Sequence, residues 1–134
     1  MKYVLSLISE EGGLENASPD EMKAVMDRWD AYTKESVENG AFIAGEALQP
    51  SPTATTVRIT EGEDPVVTDG PFAESKEQLG GFYLFECNDM DEAVEYAKRI
   101  PFQDGYVEVR PVMDFTDLGY EDPTPGPVKA AAKS

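Results

Sequence analysis

The stretch "GGFYLFEC", Gly80–Cys87, decides the fold. Side chains on a β-strand alternate between its faces, so Phe82 and Leu84 point one way and Tyr83 and Phe85 the other. Both sets are apolar, which marks a strand with something to cover on each side. "YVLSLI" near the start of the chain and "AFIA" at Ala41–Ala44 share this two-faced character.

Working outward, the neighbouring segments alternate between strand and helix patterns. "KYVLSLIS" (Lys2–Ser9) reads as the first strand and "EEGGLENA" as a loop. "SPDE" is a helix start, with Ser18 as cap, Pro19 at the first helical position and Glu21 completing a capping box. Met22, Val25, Met26, Trp29, Thr33 and Val37 then recur at steps of three and four, one helical stripe, and Asn39-Gly40 ends it. Ala41–Leu48 is a second strand in which Gly45 marks a bulge or a close backbone approach. Thr55–Thr60 and Pro65–Asp69 flank the turn "EGED" as a hairpin.

After Gly80–Cys87, "DMDE" caps a second helix through Asp89 and Glu92. Its stripe is Met90, Ala93, Val94, Ala97 and Ile100. Lys98 and Arg99 complement its dipole and Pro101 stops it. Gly105–Val112 is the last strand. The order is β-α-β, an inserted hairpin, then β-α-β, the ferredoxin-like α+β arrangement of an antiparallel sheet with two helices on one face. One domain is expected over residues 1–113, with a tail over 114–134 that is loose from about Asp122.

Two helices cover one sheet face, so the other is an apolar patch. A homodimer packed sheet against sheet about a two-fold axis is the expected cover; the hairpin and tail are the alternative. Val107 and Val109 are expected to face the helices, sending Glu108 and Arg110 to the open side. There they pair with each other, with a partner subunit or with a ligand, and Glu86 is a further member of that set.

Composition narrows the chemistry. Lys and Arg total 11 against 27 Asp and Glu, a net charge of −16, which repels nucleic-acid backbones and anionic membranes. No apolar run approaches the ~18 residues of a membrane span. The single cysteine, Cys87, excludes an internal disulfide framework and fits a reducing, cytoplasmic setting. There is no histidine, which removes Ser-His-Asp and Cys-His nucleophiles and zinc sites built from His and Cys. No cofactor or metal is expected.

Between hairpin and strand lies "DGPFAESKEQ". Asp69-Gly70-Pro71 reads as a tight turn, with Asp69 capping backbone N–H groups, Gly70 at positive φ and Pro71 fixing the exit. Phe72 is an apolar plug, and Glu74, Lys76 and Glu77 form a mixed-charge cluster with helical-turn character.

"DGPFAESKEQLGGFYLFE", Asp69–Glu86, resembles the signature of the DGPF branch of the YCII-related domain family. The likeness extends through "GEALQPSPTATTVRI", "MDEAVEYAKRIP" and "VEVRPV", about Lys2 to Val112. The resemblance implies a dimeric α+β barrel in a bacterial protein. It also implies a possible regulatory setting, because some relatives are encoded beside, or fused to, ECF-type sigma factors. Other YCII-related proteins carry a histidine on the first helix and an aspartate nearby as a proposed catalytic pair. Here that helix offers Met22, Met26 and Trp29, so the pair is not carried over. The loop alone is: Asp69, Gly70, Pro71, Phe72, Lys76 and Glu77.

Three functions fit. The first is a non-catalytic small-ligand-binding or regulatory dimer. Its cleft would lie between sheet, first helix and DGPF loop, walled by Trp29, Tyr83 and Phe72, with Asp69, Lys76 and Arg110 as polar contacts. The second is a histidine-free enzyme with Asp69 or Glu77 as general base, which requires burial to raise that carboxylate's pKa. The third is a protein adaptor for a sigma factor.

Overall fold

The computed structural model describes residues 1–123. Strand β1 (Lys2–Glu10) leads into helix α1 (Pro19–Glu38) and strand β2 (Phe42–Ala47). A hairpin, β3 (Thr55–Arg58) and β4 (Val66–Asp69), precedes the long strand β5 (Glu77–Glu86), helix α2 (Met90–Lys98) and strand β6 (Tyr106–Pro111). The central sheet has the order β2-β5-β1-β6, with every neighbouring pair antiparallel. This is the ferredoxin-like α+β arrangement the sequence predicts. No helix among the described residues is long and apolar enough to cross a membrane.

Both helices start as their sequences dictate. Ser18 Oγ accepts the Glu21 backbone N–H at 3.1 Å, and Asp89 Oδ1 accepts that of Glu92 at 2.9 Å, each satisfying a donor the first turn leaves open. Gly45 is the close approach its position suggested. A Cβ there would lie 2.8 Å from Cδ1 of Tyr83, so the missing side chain lets the Tyr83 ring lie over β2. A bulge between Phe42 and Ala44 displaces the register just before it.

The core lies between the sheet and the helices. Tyr3, Leu5 and Leu7 of β1, Tyr83 and Phe85 of β5, and Cys87 are buried with Tyr32, Ala41, Ala93, Tyr96 and Ile100; Val107 and Val109 of β6 pack against them. The α1 stripe is turned from the one predicted. Tyr32 and Ser36 are its buried residues, while Met26 and Val37 are more than half exposed and Met22 is also exposed. The predicted stripe omits Tyr32 and Ser36, whose hydroxyls are tolerated in the core because they are hydrogen-bonded. Tyr32 Oη donates to the Tyr96 carbonyl at 2.9 Å, tying α1 to α2, and Ser36 Oγ donates to the Thr33 carbonyl at 2.8 Å. Tyr96 is likewise buried on α2, and Phe85 sits among Tyr83, Tyr32 and Tyr96 at ring-centre separations of 5.2, 6.3 and 5.1 Å.

The opposite face is built in cross-strand rows. Leu79, Ile8 and Tyr106 lie side by side at one end, then Glu46, Phe82, Ser6 and Glu108, then Ala44, Leu84, Val4 and Arg110. Val4, Ile8, Phe82 and Leu84 are only half-buried, and Leu79 and Tyr106 are exposed. Arg110 Nε lies 3.8 Å from Glu108 Oε1, whereas Glu86 pairs instead with the Met1 amine at 2.7 Å. Among the described residues the hairpin strands pair only with each other, and they are exposed except at Thr56. Of the predicted tail, Asp122 is ion-paired with Lys2 at 3.3 Å; the rest of that expectation, from residue 124 on, lies outside the described residues.

Candidate functional site

Two adjoining hollows open where α1 meets the β2–β5–β1 side of the sheet. The narrower, about 390 Å³, is bordered by Leu7, Met26, Trp29, Thr33, Phe42 and Tyr83 among others. The wider basin, about 900 Å³, is bordered by Glu10, Glu11, Glu15, Arg28, Glu77 and Asp104, with Leu14, Met22 and Pro52. They share Ser9, Leu14, Val25, Trp29 and Phe102. Trp29 and Phe102 meet edge to face with ring centres 5.4 Å apart, an aromatic partition between the two.

The narrow cleft follows directly from chain geometry. One turn of α1 brings Trp29 over Thr33, and β5 carries Tyr83 beneath them. Thr33 Oγ1 and Tyr83 Oη are 2.7 Å apart, a hydrogen bond in which either hydroxyl can donate. Burial raises the Tyr83 phenol above its ordinary range, the Thr33 bond opposing this only in part, so the hydroxyl stays neutral at physiological pH. The pair therefore offers the cleft a neutral donor and acceptor. Glu46 borders the cleft too, but as the cross-strand partner of Phe82 its side chain belongs to the open sheet face.

Among the sequence-predicted site residues, Trp29 and Tyr83 come together in this cleft and Glu77 borders the basin. The others line neither hollow. Lys76 is exposed and reaches Glu10 at 3.3 Å, Phe72 is 90% exposed, and Arg110 sits on the open sheet face. Gly70 has φ +103°, the positive value expected of the turn. Two of the loop's expected features are corrected. Asp69 does not cap the turn: its side chain makes no hydrogen bond among the described residues, and the residue two positions on is Pro71, which has no N–H to give. The turn is held instead by Gly70 N–H to the Ala54 carbonyl and by Thr56 Oγ1 to the Gly70 carbonyl, both 2.7 Å. None of Glu74, Lys76 and Glu77 is helical; Glu77 opens β5, in register with Glu10 of β1.

Among the residues that sequence reading leaves out of the site are Thr33, Phe42, Leu14 and Phe102. Leu14 is an isolated apolar residue in a Gly- and Glu-rich loop, and Phe102 follows the proline that ends α2; such stray apolar residues were the available signal. Cys87 is buried, and burial with the nearby Glu92 and Glu86 carboxylates pushes its thiol up to about 11, away from nucleophilic use. Among the described residues no group of three or more His, Cys, Asp or Glu side chains is placed to hold a metal ion.

Comparison with known proteins agrees with this architecture. The family model for the YCII-related domain matches residues 1–116. An uncharacterised protein of Rhizobium meliloti (strain 1021), R00369, is 37% identical over 115 residues, which span 84% of this chain and 92% of that protein. The chain belongs to the YCII-related domain family.

Proposed function

We propose that this YCII-related protein is a non-catalytic binder of a small molecule, with a regulatory rather than a chemical output, and that it works as a two-fold homodimer in the cytoplasm. The observation that carries the reading is the narrow cleft. It lies within the size range of small-ligand sites and combines aromatic walls with a neutral hydrogen-bonding pair, Thr33 and Tyr83. Binding is favoured over proton abstraction because the two candidate bases stand open to solvent rather than in an enclosed site. Asp69 and Glu77 are both exposed, and Asp69 borders neither hollow. The unpaired buried thiol of Cys87 supports a reducing compartment.

The dimer rests on the uncovered sheet face. Its rows of Val4, Ile8, Phe82 and Leu84 are bordered by the complementary charges of Glu108 and Arg110, and a two-fold axis through that face would bury them against their own copies.

A thermal-shift screen of small metabolites on the purified protein tests the binding reading, since a ligand that binds only the native state raises the apparent melting temperature. The expected result is at least one compound class that stabilises the wild type and loses that effect on Trp29→Ala. Stabilisation that persists unchanged in Trp29→Ala, or a screen in which nothing stabilises, contradicts it.

A further inference from the structure

The two adjoining hollows differ in chemistry. The narrow one is mostly apolar, with the Thr33–Tyr83 hydroxyl pair, Ser9 and Glu46 as its polar lining residues, while the wide one is bordered by Glu10, Glu11, Glu15, Glu77 and Asp104, with Arg28 the one cation among its lining residues. Glu10 and Glu77 are direct cross-strand partners, a like-charge juxtaposition that is unfavourable in a sheet. Lys76 relieves only Glu10, at 3.3 Å, and Glu11 accepts the Ser51 N–H at 3.0 Å. Among the described residues no salt bridge reaches Glu15, Glu77 or Asp104. A net charge of −16 over the chain adds to the same field.

Resting on the reading of the cleft as a ligand site, we infer that its ligand is an amphiphilic organic cation, with a ring or short alkyl body in the narrow cleft and a protonated amine in the wide basin. The aromatic partition suits such a molecule. Its apolar body packs against Trp29, Phe42 and Tyr83, and an ammonium passing Trp29 is attracted by the face of the indole. A carboxylate on the same body would enter a basin of its own sign, where Arg28 is the one lining cation and Lys76 is already paired with Glu10.

Trp29 is the chain's single tryptophan and borders both hollows, so its fluorescence reports occupancy directly. The test is a titration with 2-phenylethylamine, 2-phenylethanol and phenylacetate, which carry the same ring and differ in the terminal charge. The amine is expected to bind about tenfold more tightly than the alcohol and the acid more weakly still. The gap should close as salt is raised towards about 1 M, where the Debye length falls to about 3 Å. In Glu15→Gln/Glu77→Gln the amine should fall back to the affinity of the alcohol. If all three probes bind equally, the cleft remains a ligand site and its preference for cations is refuted. Acid bound as tightly as amine, or an amine affinity untouched by the double substitution, refutes it too. If no probe perturbs Trp29, the cleft reading and the inference fall together.

Discussion

The two faces of the central sheet are made by the same strands and differ in what covers them. On β5, Tyr83 and Phe85 lie under α1 and α2, where Phe85 is fully buried; Phe82 and Leu84, between and beside them, stay half-open. The covered face achieves its burial with tyrosines whose hydroxyls are individually answered, by the Tyr96 carbonyl for Tyr32 and by Thr33 for Tyr83. The open face answers its charges only loosely, with Arg110 and Glu108 at 3.8 Å. One face is thus finished within the chain, except where it parts to leave the cleft. The other leaves Val4, Phe82 and Leu84 half-buried, and it is the face on which the proposed dimer would place a second copy.

Truncation on one strand separates the faces most strongly. Phe85→Ala is expected to cost about 3–5 kcal/mol, the usual loss for a fully buried phenylalanine, read as a fall in the urea midpoint. Phe82→Ala should cost less within the subunit and should weaken the dependence of the midpoint on protein concentration. Equal, concentration-independent losses from the two would erase the distinction.

A pH titration sharpens the contrast next, because three groups that burial holds protonated, Tyr32, Tyr83 and Cys87, belong to the covered side. Each is held protonated in the fold and ionises more easily once unfolded. Their contribution is therefore complete below the unfolded values and is lost as pH rises. For Cys87 the window runs from its ordinary 9.0 to about 11. Stability should fall from about pH 9 upward, and Cys87→Ala should make the decline shallower. A flat profile to pH 11 would contradict the burial assigned to this thiol.

The smallest effect is at the cleft. Thr33→Val keeps the shape and deletes the partner of the Tyr83 hydroxyl, for a loss of about 1 kcal/mol. No change in the midpoint would mean that the hydroxyl finds water instead.

Much of this was legible in the sequence, for physical reasons. The alternation in "FYLFEC" set two faces, and Ser18, Asp89 and Gly40 set helix ends, because period and capping are local properties. The helix stripe was misjudged where burial depends on a distant acceptor: nothing near Tyr32 in sequence announces the Tyr96 carbonyl. The site was half legible. Trp29 and Tyr83 stood out as large apolar groups, but the DGPF loop drew notice by its turn chemistry, and that chemistry serves the hairpin through Ala54 and Thr56. Leu14 and Phe102 reach the cleft only through tertiary folding, which no local pattern encodes.

Sedimentation equilibrium at micromolar concentration, wild type beside Leu84→Glu, tests the proposed role of the open face most directly. The expected masses are twice 14.7 kDa for the wild type and 14.7 kDa for a Leu84→Glu variant that keeps its far-UV spectrum. A wild-type particle of 14.7 kDa would contradict it.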